Sequence, residues 1–503
     1  MTDSINIAVN DVEVQKKYSA SLDEALTVAG VGWYNLKYCL VLSLFLIAPI
    51  LEASGYGFVL PAAICDLNIS DGQRGFIYSI PYIGIVLMSF QWGYLVDTKG
   101  RKKVLIYSSL GAGVFGSASG FMPDVISFVI CKLLTALCIG CPFVVPYSYI
   151  AEILPKKYRD LALAVVTTIQ ILGSVLVPLL AWGILSLDFS VDFGAYLFRP
   201  WRLLVIVYAM LFVIASGLLA FGPESPRYLV AVGKNDEALK AVLAIFAGNT
   251  KKTPEDYPIK DLDESFDDRT KDTFFTSLKT QSLPLLKPPY LKWLLLNAFL
   301  LFGVYSVLSG LFAWIPDILN RLLLEDDEGQ TACDAFDSLN QTFDGAGGGV
   351  CNDNLNRITF VISSIADFSS FVIAILIGST VKFIDKKILL VLVFTTVGGL
   401  CIVINFVSEV VPFALLLPPI QSMSLTVGLV TAFSVDIFPV NLRGMAVCLT
   451  MTGAAMGSIF GSNISAFLLN AACEVTFYSF GGLLIFCGLL SMLLPNSKES
   501  LKN

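Results

Sequence analysis

Long apolar runs recur along nearly the whole chain, each closed by a short polar or charged stretch. A helix needs about 17–25 such residues to cross the hydrocarbon core of a bilayer. We read twelve runs: 36–62, 74–96, 104–121, 125–150, 161–184, 202–222, 291–317, 357–381, 388–406, 410–435, 444–470 and 475–494. Lipid offers no water to unpaired backbone groups, so runs of this length are helices. The pattern predicts an all-α membrane protein with twelve transmembrane helices. It also divides the chain into a polar segment 1–35, a six-helix block 36–222, a linker 223–290, a second block 291–494 and a tail 495–503. A polar loop, 319–356, interrupts the second block. An Ala/Leu-rich stretch at 234–247 of the linker predicts a short amphipathic helix.

Composition agrees with the pattern. Of 503 residues, 55% are hydrophobic and only 15% charged, more apolar surface than a soluble domain can hide. The net charge of −7 matters less than where the positive charges fall. Lys99, Arg101, Lys102 and Lys103 lie between the second and third runs, and Lys156, Lys157 and Arg159 between the fourth and fifth. The intervening short loops are nearly free of them, Arg74 being the main exception. By the positive-inside rule the even-numbered loops are cytosolic, and with them both termini. The expected location is a plasma or vesicle membrane. Histidine is absent, which excludes His-based proton relays, His metal sites and Ser-His-Asp catalysis. With no nucleophile–base pair or metal constellation, an enzyme, a cofactor and a nucleic-acid partner are not expected.

Of eleven cysteines, seven sit in apolar runs as small hydrophobes. Cys65, Cys333, Cys351 and Cys473 fall at or beyond the non-cytosolic ends. Cys333 and Cys351 bracket the acidic Gly-rich part of the 319–356 loop, and a disulfide between them is the expected closure. Asn340-Gln-Thr in that loop is a glycosylation sequon on the side where glycosylation occurs.

The chain repeats itself. Glu152, Pro155 and Arg159 return as Asp436, Pro439 and Arg443, each 284 positions on. Gly93-Tyr-Leu-Val-Asp-Thr-Lys-Gly-Arg-Lys-Lys returns, degraded, at Gly378-Ser-Thr-Val-Lys-Phe-Ile-Asp-Lys-Lys. Matching charged turns in two halves imply a duplicated bundle whose halves move against each other around a central cavity. The expectation is a transporter with two pseudo-symmetric six-helix bundles, working as a monomer in lipid on a small-molecule substrate.

The Gly93–Lys103 stretch resembles the signature loop of the major facilitator superfamily. Arg199-Pro-Trp-Arg and Pro223-Glu-Ser-Pro-Arg-Tyr-Leu resemble its sugar-porter and organic-ion branches. Glu52 with Gly57-Phe-Val-Leu-Pro, and Gly233-Lys-Asn-Asp-Glu-Ala, extend the likeness to the synaptic vesicle glycoprotein 2 group, most strongly in the first half. The large lumenal domain of that group is replaced here by the 319–356 loop, and a second acid of its first helix by Pro49. The resemblance implies the major facilitator fold and transport of a small organic solute by alternating access. It also admits two alternatives: a vesicle glycoprotein regulating trafficking or secretion through partners, and a sugar facilitator.

Ionisable groups inside a membrane helix are costly and therefore candidate functional residues. Glu52 could meet a substrate amine or a coupling proton; a structural hydrogen bond is its alternative. Lys132 could neutralise Glu52 across the cavity, attract an anion, or snorkel. Asp367 is the clear mid-membrane acid of the second half, with nearby serines as alternative partners. Tyr147, Trp182 and Trp314, with Tyr82, Trp92, Tyr149 and Phe433, are aromatic candidates for a cavity wall. Asp97, Arg101, Glu152, Arg159, Asp436 and Arg443 form an expected cytosolic gate of ion pairs between the halves; helix capping and topology charge are the alternative. Gly93 is expected to allow close approach of a neighbouring helix, and Gly453, Gly457 and Gly461 tight helix packing.

Overall fold

The computed structural model describes residues 19–250, 252–262, 283–324, 331, 333–334, 355–380 and 384–495. Asn340 and Cys351 lie outside the described residues, as do the side chains of Asp436 and Arg443.

Among the described residues, eleven helical runs are long and apolar enough to cross a membrane. The first is α2 (Trp33–Ser54) continued by α3 (Tyr56–Leu67), followed by α4 (Asp71–Lys99). Next come α5 (Arg101–Ser119), α6 (Val125–Glu152), α7 (Lys156–Gly173) with α8 (Leu176–Leu185), and α9 (Pro200–Ala220). The second half holds α12 (Tyr290–Phe312) with α13 (Ile315–Leu324), α14 (Arg357–Thr380), α15 (Lys386–Val403), and α16 (Val410–Gln421) with α17 (Leu425–Ile437). The last helix, α18 (Val440–Ser491), contains two crossings separated at Ala472, whose φ of −166° and ψ of 84° break the helix. Of these twelve crossings α5 is the one outside the eleven, less apolar than the rest because Ser108, Ser109, Gly113, Gly116 and Ser119 are built into it. These small residues lie buried against α6 and α9 rather than facing lipid.

Local chemistry sets the boundaries. Ser70 and Gln73 form a capping box that starts α4, and Asp124 caps α6. Gly100 turns the chain between α4 and α5 with φ of +103°, and a Cβ there would lie 2.5 Å from Glu224 Oε2, so only glycine fits.

One end of the bundle carries the linker and the other the start of the 319–356 loop. At the linker end the polar segment before the first crossing is folded. A helix α1 (Leu22–Ala29) packs on the linker helices α10 (Pro226–Ala231) and α11 (Asn235–Thr250), the latter matching the expected amphipathic helix. A two-residue strand β1 (Ser19–Ala20) pairs in parallel with β4 (Asp261–Leu262) of the linker. Segments read as separate in sequence thus form one cap on the first half.

The two halves touch unequally. A single apolar core runs through the second half and on into the loop-end part of the first half, through Phe58, Tyr78, Val177 and Trp201. The core at the linker end of the first half draws its described members only from residues 20–262. Among the described residues the halves therefore share an apolar core at the loop end and none at the linker end.

Gly453, Gly457 and Gly461 lie against α12. An added Cβ on Gly453 would sit 2.8 Å from the Ala298 carbonyl, and those on Gly457 and Gly461 would collide with the carbonyls of Phe302 and Ser306. Three backbone-to-backbone contacts in register hold α12 on α18. We expect Gly457→Ala to destabilise the protein by about 1–3 kcal/mol through overpacking. Gly399→Ala, where a Cβ meets nothing within 4 Å, is expected to have no such effect. Thermal unfolding of the two variants in detergent measures the difference.

The expected Cys333–Cys351 disulfide is not formed. Cys333 is bonded to Cys473, 140 residues away and with Cα atoms 5.4 Å apart, at the break between the last two crossings. Spacing along the chain favoured the nearer cysteine, whereas packing of α18 brings the distant one alongside. Cys65 is also disulfide-bonded.

Candidate functional site: a cavity between the halves

A cavity lies between the two halves. Ser54, Phe58, Ser174 and Val177 line it from the first half, and Pro316, Ser363, Asp367 and Gln421 are among its residues from the second. Asp367 is only partly buried. Gln421 Nε2 donates a hydrogen bond to the Asp367 carboxylate, and Gln421 Oε1 accepts one from Ser370 at 2.7 Å. The breaks between α7 and α8 and between α16 and α17 place Ser174 and Gln421 at these positions. A carboxylate held by a side-chain amide in a wall of mixed serine and apolar side chains suits a polar or cationic guest.

Glu52 and Lys132 form a different site. Lys132 Nζ donates to Glu52 Oε1 at 2.5 Å, and both side chains are only 1% exposed. Tyr56 adds a hydroxyl 3.4 Å from Glu52, and the ammonium lies 5.1 Å from the Tyr56 ring and 5.6 Å from that of Phe128. Tyr56 lies one helical turn beyond Glu52, and between them a Cβ on Gly55 would collide with the Tyr208 ring. Glu52 is therefore not an isolated carboxylate awaiting an amine. Its partner is a lysine of the same half, so the pair does not reach across the cavity.

At the loop end an ion pair joins the halves. Arg74 of α4, with a fully buried side chain, donates from NH1 to Asp317 Oδ2 of α13 at 3.0 Å. Arg321 reaches the same oxygen at 3.4 Å. The Arg74 guanidinium stacks 4.3 Å over the Trp314 ring, which also meets Tyr78 at 5.8 Å. Trp314 thus belongs to this lock and not to the cavity wall. Next to it, a Cβ on Gly75 would lie 2.5 Å from Ala466 Cβ, so α4 and α18 cross closely here. The sequence hint was Arg74 itself: an arginine at the edge of an apolar run, on the side that carries few positive charges, needs a carboxylate, and Asp317 supplies it.

At the linker end the charged turns pair within the first half. Arg101 Nε lies 3.1 Å from Glu152, and Asp97 pairs with the same guanidinium at 3.3 Å. Ser225 Oγ donates to Glu152 at 2.5 Å, and Glu224 accepts from the Lys102 amide at 2.8 Å. Arg159 and Lys156 hold Asp23 of α1 at 2.6 and 2.9 Å, with Arg227 3.7 Å away. Nothing lies within 4 Å of a Cβ on Gly93, contrary to the close approach expected there.

Asp23 gives the cap a pH dependence. Burial works to raise its pKa, but hydrogen bonds from Lys156 and Arg159 and the charges of Arg159 and Arg227 outweigh that and hold it below the ordinary value. A lowered folded pKa contributes stability above the unfolded value near 3.9, and that stability is lost as pH falls through the folded value. Hydrogen exchange of the α1 amides, taken relative to the intrinsic rate at each pH, is expected to accelerate below about pH 4. In Asp23→Asn it should be fast already at neutral pH, with that acid step gone.

The other aromatic candidates disperse. Tyr147 donates to Gln170. Tyr149 donates to the Pro223 carbonyl at 2.5 Å, Trp92 donates to the Leu137 carbonyl at 2.7 Å, and Phe433 is core. Tyr82 reaches Ser309 and Ser458 of the second half. Trp182 lies on the exposed face of α8 with Leu179, away from Val177 and Ala181, and so is a lipid-facing side chain. Sequence reasoning missed Gln421, Asp23 and Asp317, none of which stands in a recognisable motif, and passed over Ser225 inside the Pro223–Leu229 motif.

Residues 41–327 match the family model described as Major Facilitator Superfamily, and the chain belongs to that superfamily. It is 31% identical over 343 residues to mouse synaptic vesicle glycoprotein 2C, covering 62% of this chain and 46% of that protein. To human synaptic vesicle glycoprotein 2A it is 35% identical over 228 residues, 45% of this chain and 30% of that protein. The matches thus span less than half the length of these curated relatives. Among solved structures it resembles the inward-open xylose transporter XylE from E. coli, with a TM-score of 0.67 and 15% identity over 93% of this chain and 99% of that one. A mutant of the nucleoside transporter NupG gives 0.61 and 11%, over 91% and 99%. Identities this low speak to the fold alone: twelve crossings in two bundles, an integral multi-pass membrane protein.

Proposed function

We propose that this protein carries a small organic solute across a membrane by alternating access, acting as a monomer. The observation that carries this reading is the unequal contact of the halves about a shared cavity, with an apolar core common to both at the loop end and, among the described residues, none at the linker end. The positive charges of 99–103 and 156–159 put the linker end and both termini in the cytosol. The structure is then an inward-facing state, locked on the far side by Arg74 and Asp317. Rocking outward would break that lock and bring the halves together at the linker end. Gly93, which meets nothing now, would there receive a neighbouring helix. Asp97, Arg101, Glu152 and Arg159, with Asp436 and Arg443 from the second half, would supply the gate.

Asp367 is the residue we assign to the solute. Because it faces the cavity, an organic cation is the substrate class it fits best. The buried Glu52–Lys132 pair suits the coupling step: a proton on Glu52 would leave the Lys132 ammonium without its counter-charge and shift the balance between states. The likeness to synaptic vesicle glycoproteins supports a second reading, a vesicle membrane protein acting on secretion through partners. The structural likeness to a xylose transporter concerns fold, and the sugar-facilitator reading gains no residue from it.

Uptake into liposomes by the purified protein, assayed with a panel of organic cations, sugars and nucleosides, tests the proposal. Losing a charge-assisted contact removes about 1.5–3 kcal/mol, so Asp367→Asn is expected to lower cation uptake about tenfold or more. No flux with any solute class would reject the transport reading.

A further inference from the structure

The connection between α8 and α9 is a small β-hairpin, β2 (Val191–Asp192) paired antiparallel with β3 (Leu197–Phe198). Its base is welded to the bundle by Arg202, which is 1% exposed. Arg202 donates to the carbonyls of Leu197 at 2.9 Å, Gly120 at 3.1 Å and Met122 at 2.6 Å. The rings of Tyr196 and Trp201 lie 4.6 and 4.3 Å from its guanidinium. Phe198 stacks on Phe121 at 5.8 Å, and Phe193 on Tyr196 at 5.6 Å. Gly194, at φ of +80°, makes the tip, where its amide donates to Asp192 at 2.6 Å.

This fixed base holds large apolar side chains outward: Phe193 is 59% exposed, Val191 49%, Leu187 47% and Phe121 44%. A rigid hairpin displaying contiguous apolar groups marks a binding surface. The hairpin continues the lipid-facing surface of the bundle. The exposed stripe of α8, through Leu179 and Trp182, leads directly into Leu187, and α9 leaves with Met210 and Ile214 exposed. Aromatic side chains at the ends of membrane helices occupy the headgroup zone.

We propose that this hairpin is an interfacial anchor, with Phe193, Val191 and Leu187 seated in the headgroup region of the leaflet at the loop end. Asp188 and Asp192 flank the apolar tip and the hairpin carries no lysine, so its partner is a zwitterionic lipid surface rather than an anionic one. The anchor would fix the corner between the fifth and sixth crossings while the two halves rock.

A nitroxide label on Phe193→Cys in the full-length protein, in phosphatidylcholine nanodiscs, tests this. Leu415→Cys serves as the lipid reference and Thr253→Cys as the aqueous one, with the signal of wild-type chain treated identically subtracted. The ratio of oxygen to nickel-chelate accessibility is expected to be several-fold above that of Thr253→Cys and below that of Leu415→Cys. A ratio equal to that of Thr253→Cys would overturn the proposal. Dipolar broadening between two labelled copies would overturn it too, assigning the surface to a second chain. Should the cysteine variant fold poorly, a phosphatidylcholine with a headgroup diazirine is expected to label the 187–198 peptide of the wild-type protein, and absence of that adduct counts against the anchor.

Discussion

Asp317→Asn is expected to unlock the loop end. Arg74 has a fully buried side chain, and the substitution takes away the carboxylate 3.0 Å from it while keeping the shape. Removing one partner of a buried ion pair costs about 3–5 kcal/mol, much of it from the charge left behind. Because the pair joins the two halves, that loss falls on the present state and not on one in which the lock is already broken. The population therefore moves toward outward opening. Two measurements follow. Thermal stability in detergent should fall, and a thiol probe applied from the loop-end side should reach a cysteine placed at Ser363 in the cavity faster than in the parent chain. Arg74→Asp combined with Asp317→Arg should recover part of both. Unchanged accessibility with lowered stability would mean that the pair supports folding but does not hold a gate.

Glu52→Gln carries the second large effect. Glu52 and Lys132 are each 1% exposed and 2.5 Å apart, so the variant leaves a buried ammonium without its carboxylate. A loss of about 3–5 kcal/mol is expected, together with loss of uptake. A second variant separates these effects. In Glu52→Gln/Lys132→Met the charge is gone from both sides, and replacing a buried pair by neutral groups is often close to neutral for stability. The double variant should therefore fold near wild type yet remain transport-dead, because the pair assigned to coupling can no longer take up a proton. If it carries solute as well as the parent, the pair is structural and the coupling assignment fails.

The same two pairs show how far the sequence could be read. Glu52 and Lys132 are visible in it as charges inside apolar runs. That they meet depends on α2 packing beside α6, which hydropathy does not encode. Arg74 stood out only as a charge on the wrong side. Asp317 carried no signal, since an acid at the end of an apolar run reads as an ordinary boundary. Trp314 and Trp182 have the same residue type and similar apolar surroundings, yet one is wholly buried beneath Arg74 and the other faces outward.

Hydropathy fixed the number and order of crossings, since each must hide its backbone from lipid within its own run of residues. The duplicated turns, read with the family motif, fixed the division into halves. Those are local properties, written in about twenty consecutive positions at a time. Packing alone decided the Cys333–Cys473 bond, the folding of residues 19–30 onto the linker, the meeting of Arg74 with Asp317, and which acid faces the cavity. Each joins residues tens to hundreds of positions apart. The lock at one end and the opening at the other depend further on which of two arrangements of the halves is occupied, and a linear string of residues serves both.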